Sequence, residues 1–164
     1  MNNKTLYLLR HGLATHSKTG YGDKILTASL LPEGIASSKR IGEYFKDKET
    51  DYNVSSEVLR CRQTAAIIQE ETNKHFVFDK RLNESPLGPK EPFPELHTRA
   101  SEFVNDVQSS NYQSILICTH GILIAAIKHF VLDGNFDASE VLDYPPTGTL
   151  AVLKNRSFEV IDFN

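Results

Sequence analysis

The chain of 164 residues has no tryptophan and only two cysteines, Cys61 and Cys118, far apart and without metal-type spacing. Such a pair is expected to remain as free thiols in a reducing cytoplasm, and it offers no zinc pattern. No basic excess exists either: 18 Lys and Arg against 21 Asp and Glu leave a formal charge of -3. A nucleic-acid surface needs a basic patch or stripe, so no nucleic-acid partner is expected. No apolar run is long enough to span a membrane, and Met1-Asn2-Asn3-Lys4 leads straight into an apolar strand without a signal-peptide pattern. The expectation is a cytoplasmic protein without a membrane partner. Internal repeats, low-complexity tracts and linkers are lacking too. With 40% hydrophobic and 24% charged residues, residues 1–164 are expected to form one globular domain. A domain of that size buries roughly 70% of its unfolded surface.

What is present is an alternation of strands and helices. Leu6-Tyr7-Leu8-Leu9 is an apolar run of the kind that forms a central strand, and it ends in Arg10-His11-Gly12. Leu13 to Leu31 is a long loop rich in Ser, Thr and Gly, of the kind that often carries function. Pro32 opens a helix, with Ile35, Ser38, Ile41 and Phe45 at helical spacing. Tyr52–Ser55 is a short strand, followed by a helix over about 60–72 and a short strand at Phe76-Val77-Phe78. Four of the seven prolines fall between Ser85 and Pro94, which excludes a helix or central strand there. A helix from Pro94 carries Leu96, Ala100, Phe103 and Val107 on one stripe. Ser114–Thr119 is a second strongly apolar strand ending in His120-Gly121, and the helix over about 122–132 is apolar nearly all round. Two last strands form a hairpin about Asn155-Arg156. This order predicts an α/β fold, a three-layer α/β/α sandwich with a mostly parallel sheet.

In open α/β sheets ligands bind beyond the carboxyl ends of the strands. If the two apolar strands are parallel neighbours, His11 and His120 meet at one sheet edge. Arg60 falls near the start of the helix that follows Ser55 and Ser56, and a helix start favours anions. Two arginines, two histidines and a helix start at one edge form a pocket for a phosphate, which the planar guanidinium suits. Taken singly, each residue also has an ordinary structural reading: His120 as a core histidine, Glu84 as a solvated carboxylate, Arg62 as structural. His75, His97 and His129 show no partner pattern and are expected at the surface or in packing. Cys61 beside Arg60 is expected to pack rather than react. His11 and His16 lack the helical spacing of zinc motifs, and clustered carboxylates are not evident, so no metal or other cofactor is expected.

Arg10-His11-Gly12, the segment Ser56 to Ala65, Arg81-Leu82-Asn83-Glu84 and Thr119-His120-Gly121 together resemble the histidine phosphatase superfamily, the phosphoglycerate mutase-like fold, in order and spacing. That resemblance implies His11 as the phosphorylated nucleophile, Arg10, Arg60 and His120 as ligands of the phosphoryl oxygens, and Glu84 as proton donor. Leu13 stands where many members carry glutamate, and Ser17 where many place an asparagine near the phosphate. Ser17 can still donate a hydrogen bond there. No Gly-Trp-Glu-Gly stretch follows Glu84. The compact chain leaves little room for the segments that enclose a mutase substrate, so the expectation is a metal-independent hydrolase of phosphate monoesters working through a phosphohistidine. Its substrate is expected to be a phosphorylated small molecule, with a phosphohistidine on a partner protein as the alternative. His16, Ser17, Lys18 and Tyr21 are expected to line the entrance. A non-catalytic phosphate-binding regulatory module is the reading from another class.

Overall fold

Strict alternation along the apolar strands builds a sheet that can be covered on both sides. The computed structural model describes residues 3–164. Its strands are β1 (Thr5–Arg10), β2 (Tyr52–Ser55), β3 (Val77–Phe78), β4 (Ser114–Thr119), β5 (Thr149–Lys154) and β6 (Ser157–Asp162). Four helices alternate with them: α1 (Pro32–Phe45), α2 (Leu59–Thr72), α3 (Phe93–Ser109) and α4 (Gly121–Asp133). The strand order is β3-β2-β4-β1-β5-β6. Pairings among β1 to β4 are parallel, and the C-terminal hairpin adds β5 and β6 antiparallel at one edge. The mostly parallel sandwich read from the sequence is therefore correct, with a mixed edge.

Side chains of successive strand residues point to opposite faces. Leu6, Leu8, Ile115 and Ile117 pack with Phe103, Val104 and Val107 of α3 and with Ile124 and Ile127 of α4. Leu9, Leu116 and Cys118 turn the other way, onto Ile41 and Phe45 of α1 and Cys61 and Ile68 of α2. Each fully buried Leu or Ile contributes about 1.5–3 kcal/mol. A slip of one residue would send these side chains to the wrong layers, so this pattern also sets the register.

Register is what brings the two histidines to one edge. Arg10 lies opposite Thr119, so His11 and His120, each one residue further, emerge side by side. Ser55 lies opposite Cys118, which brings Ser56 alongside. The loop after β1 then crosses the first turn of α1 at very short range. A Cβ on Gly12 would lie 2.5 Å from the carbonyl oxygen of Gly34, and one on Gly34 would lie 2.1 Å from that of Leu13. Only glycine permits that crossing.

The long loop is pinned at its base. Ala14 bridges to Leu30, and Thr15 N–H donates to Ser29 O at 2.9 Å. Its far part carries one turn of 3-10 helix, Gly22–Lys24. The hairpin turn sits at the expected Asn155-Arg156, both at positive φ (50° and 64°), as a tight turn of matching twist requires. One detail differs from expectation: β3 begins at Val77 rather than Phe76. The apolar helix α4 is buried at Gly121 and from Leu123 to Ile127, its last turns being partly exposed. Among the described residues no helix is long and apolar enough to cross a membrane.

Candidate active site

His11 and His120 stand with ring centroids 5.2 Å apart, both fully buried. His11 Nδ1 lies 2.8 Å from Gly12 O, and His11 Nε2 lies 3.1 Å from Arg60 Nε. A guanidinium can only donate. His11 Nε2 therefore accepts, and its proton sits on Nδ1, held by the Gly12 carbonyl. Gly12 N–H donates to Thr64 Oγ1 at 3.2 Å, which fixes the peptide that orients the ring. Burial, and then the Arg60 charge, hold the His11 imidazole well below its usual range. It is neutral, with one nitrogen protonated and the other free to attack.

Arg60 is the largest fully buried side chain of the molecule. It lies in the first turn of α2, where a cation is disfavoured unless an anion joins it. Its Nη1 donates to Ile25 O at 2.6 Å, and its Nη2 lies 3.4 Å from Glu84 Oε2. The Tyr21 ring covers the guanidinium, its centroid 3.8 Å from Cζ. Tyr21 is in turn held through its hydroxyl, 2.9 Å from Ser17 Oγ, which also accepts from Ala14 N–H. Ser17 thus lines the cleft as expected, but its hydroxyl is engaged by Tyr21 and the loop backbone. Lys18 and His16 of the same loop lie off the wall.

Glu84 is delivered by a segment tied down just before it. Thr119 Oγ1 donates to Leu82 O at 2.7 Å, and Asn83 Oδ1 accepts from Ser56 Oγ and from Glu57 N–H. The Glu84 carboxylate, 12% exposed, faces both Arg60 and His120, the latter with Nδ1 at 3.6 Å from Oε2. Burial raises its proton affinity, and Arg60 only partly opposes this.

Ser56 also settles His120. The Ser56 hydroxyl gives its proton to Asn83 Oδ1, and its oxygen lies 2.8 Å from His120 Nε2. All of these groups are satisfied when His120 carries its proton on Nε2, leaving Nδ1 directed at the cleft. Burial first, with the neighbouring His11 ring and the Arg60 charge, holds His120 well below the usual imidazole range, so it is neutral here rather than protonated. A bound dianion would reverse that by favouring a second proton on Nδ1.

Arg10 depends on a segment that sequence patterns did not single out. Its Nη1 donates to Pro145 O at 2.9 Å, and its Cζ lies 4.8 Å from the centroid of the Tyr144 ring. That ring rests on Gly121, where a Cβ would come within 2.5 Å of Tyr144 Cδ2. The glycine after His120 is the one signal that something packs there.

Buried side-chain atoms without a protein partner number three among the described residues: Arg10 Nε, His120 Nδ1 and Ser85 Oγ. All belong to the walls of one cleft or touch Glu84 in it. Buried polar groups are normally paired, so orphans gathered at one place mark where an anion's oxygens fit.

The remaining readings resolve as follows. Arg62 is exposed and donates to Glu57 O, a structural role as expected. Cys61 and Cys118 are free and buried, and burial pushes the Cys61 thiol well up, so it packs and does not react. His97 packs against Phe93 and Phe130. His129 is a correction: it lies between Asp133 and Asp143, each at 2.7 Å, with Glu140 at 3.4 Å. Carboxylates do cluster, then, around the far end of α4. The i, i+4 spacing of His129 and Asp133 was the legible part of that cluster.

Residues 6–91 match the family model of the histidine phosphatase superfamily (branch 1). A candidate phosphoserine phosphatase of Hydrogenobacter thermophilus is 28% identical over 155 residues, with 76% of each chain covered. Among solved structures, the α-ribazole phosphatase of Shigella flexneri aligns with a TM-score of 0.79 at 16% identity, covering 96% of this chain and 95% of that one. A candidate phosphohistidine phosphatase, SixA, of Agrobacterium tumefaciens aligns with a TM-score of 0.66 at 22% identity, covering 98% and 97%. The structural likenesses carry the fold, that of the phosphoglycerate mutase-like phosphatases.

Proposed function

This chain belongs to the histidine phosphatase superfamily, and on that premise we propose that it hydrolyses phosphate monoesters through a phosphohistidine formed on His11. The observation that carries the reading is the His11 ring, held by Gly12 O on one nitrogen and met by a cation on the other. A pure binding module has no need of a neutral imidazole oriented in that way beside a raised carboxylic acid.

In the first half-reaction His11 Nε2 attacks phosphorus and the P–O bond to the leaving group breaks. Glu84, protonated at the outset, gives its proton to the departing oxygen. The Arg60 Nε–H that capped His11 Nε2 turns to a phosphoryl oxygen as the new N–P bond forms. Arg10 Nε and a protonated His120 Nδ1 supply the other fixed donors, at places where the protein leaves them unpaired. Such preorganised positive donors are the main source of catalysis in phosphoryl transfer. In the second half-reaction Glu84, now ionised, takes a proton from water as the water oxygen attacks phosphorus. The N–P bond breaks, inorganic phosphate leaves and His11 returns to its neutral form. General acid–base work of this kind contributes about 100- to 10,000-fold.

Ser17 can donate to the phosphate when the Tyr21 hydroxyl donates to Ser17 Oγ, so the two residues act together. The guanidinium groups take the role a metal ion would have, and the enzyme is metal-independent, a hydrolase of one domain suited to a reducing cytoplasm. A phosphorylated small molecule is the favoured substrate.

The test is hydrolysis of p-nitrophenyl phosphate, together with trapping of an acid-labile, base-stable phosphoenzyme. Wild type should turn over the ester and trap the label, with activity surviving EDTA, and His11→Ala should do neither. An active His11→Ala protein would overturn the assignment.

A further inference from the structure

We propose, on the phosphatase reading above, that the leaving-group subsite takes an uncharged apolar group, so that the substrate is a phosphate monoester of a neutral hydrophobic alcohol. The cleft in front of the phosphate pocket has a volume of about 510 Å³, room for a leaving group of several carbons. Its lining includes Tyr21, Ile25, Pro86, Leu87, Ile122 and Tyr144, beside two serines and three glycines. Among the described residues the charged side chains on that wall are Arg10 and Glu84, and both are engaged at the phosphoryl end.

A second anionic group on the substrate would therefore meet no free cation. Arg10 is held by Pro145 O and the Tyr144 ring, while the loop lysines Lys18 and Lys24 stand off the wall. Setting an ion against that wall costs hydration, and no free cation there offsets it.

Exposure of the wall residues points the same way. Leu142 is 74% exposed, Leu26 is 62% exposed and Leu87 is 39% exposed. Of these, Leu87 lines the cleft itself, while Leu26 and Leu142 are near lining residues Ile25 and Tyr144 in the chain. Core packing does not account for leucines that stand in solvent. An exposed leucine on the wall of a cleft is available to an apolar ligand.

The test compares pentyl phosphate with 5-phosphooxypentanoate, whose alcohol leaving groups are of nearly equal basicity. The chemistry is then matched, and only the far end differs. Wild type should show kcat/KM at least roughly tenfold higher for pentyl phosphate. Leu87→Lys, a change at an exposed loop position, should narrow or reverse that ratio by raising turnover of the carboxylate ester. Equal or greater wild-type turnover of 5-phosphooxypentanoate overturns the proposal, as does better turnover of a phosphohistidine protein than of either ester. Absence of turnover on both esters and on p-nitrophenyl phosphate removes the phosphatase reading itself, and this inference with it. A phosphatase without the preference removes only the inference.

Discussion

The Nε–H of Arg60 points at His11 Nε2 from 3.1 Å, so a buried cation caps the very nitrogen that would attack phosphorus. The contact protects a neutral imidazole from protonation, since a positive neighbour disfavours a second positive charge. In the proposed mechanism it also loads the donor that the phosphoryl group uses, so that resting state and transition state share one guanidinium, which changes partners.

Replacement of Arg60 by lysine tests both roles. An ammonium cannot reach His11, Ile25 O and Glu84 at once from one planar fork. Arg60→Lys should lower kcat by about 100- to 1,000-fold, the usual cost of losing one preorganised donor. It should also raise the His11 imidazole towards its ordinary value, because the capping charge has moved. Ring-proton NMR titration of His11 in the two proteins measures that shift, and an unchanged titration would show that burial alone sets it.

Tyr144 should matter through Arg10 and not through its hydroxyl. The ring lies between Gly121 and the guanidinium. Tyr144→Phe should retain activity within about threefold, while Tyr144→Leu gives up the cation–π contact, about 0.5–2 kcal/mol, and loosens Arg10. Gly121→Ala should do the same from the other side by pushing the ring outward. Both damaging variants should raise KM for a phosphate ester and weaken inhibition by inorganic phosphate in parallel. A loss confined to kcat would instead place Tyr144 in the chemistry.

The parts of this site that are legible in the sequence are those that end regular elements. β1 and β4 announce themselves as apolar runs, and the histidines follow because the register is parallel. Arg60 is legible because a cation at a helix start has to be explained. Tyr144 and Pro145 lie in an irregular stretch after α4, where no periodicity tells which residue reaches back to the sheet. Ser56 and Asn83 were inside recognisable segments, yet their mutual hydrogen bond depends on two loops meeting across β4. Ser17 shows the converse. Its position in the chain was informative, but the hydroxyl's actual partners, Ala14 N–H and Tyr21, follow from how a long loop folds on itself.

His129 offers a stability test away from the cleft. Burial works against its charge, but hydrogen bonds to Asp133 and Asp143 win and raise its proton affinity. A histidine raised in the folded state contributes stability that is complete below the unfolded value of about 6.5 and fades as pH climbs through the folded value. Both aspartates are more than half exposed, so the contribution should not exceed about 1 kcal/mol. The difference in urea midpoint between wild type and His129→Gln should be largest near pH 5.5 and shrink above pH 8. Lys128, 2.7 Å from Asp143, keeps that carboxylate paired after His129 loses its proton. A difference that grows with pH would reverse the assignment.

The pH dependence of catalysis follows from two displacements of opposite sign. His11 must be neutral to attack, and burial with Arg60 holds it well below the usual range, so the acidic limb of kcat/KM moves down. Glu84 must be protonated to release the leaving oxygen, and burial raises it, so the basic limb moves up from where an ordinary carboxylate would put it. The profile should be a bell with its maximum on the acid side of neutrality. The second ionisation of the substrate, near pH 6, adds a further limb common to every variant. Glu84→Gln isolates the carboxyl, because the amide keeps its shape and one of its two acceptor positions but has no acidic proton. With an alkyl phosphate, Glu84→Gln should lose about 100- to 10,000-fold in kcat/KM. With p-nitrophenyl phosphate, whose leaving group departs as a stable anion, the loss in kcat/KM should be small. In both cases the limb that belongs to Glu84 should vanish while that of His11 stays. A basic limb that survives in Glu84→Gln, after correction for the substrate, would assign the proton to another group, and His120 would be the first to examine.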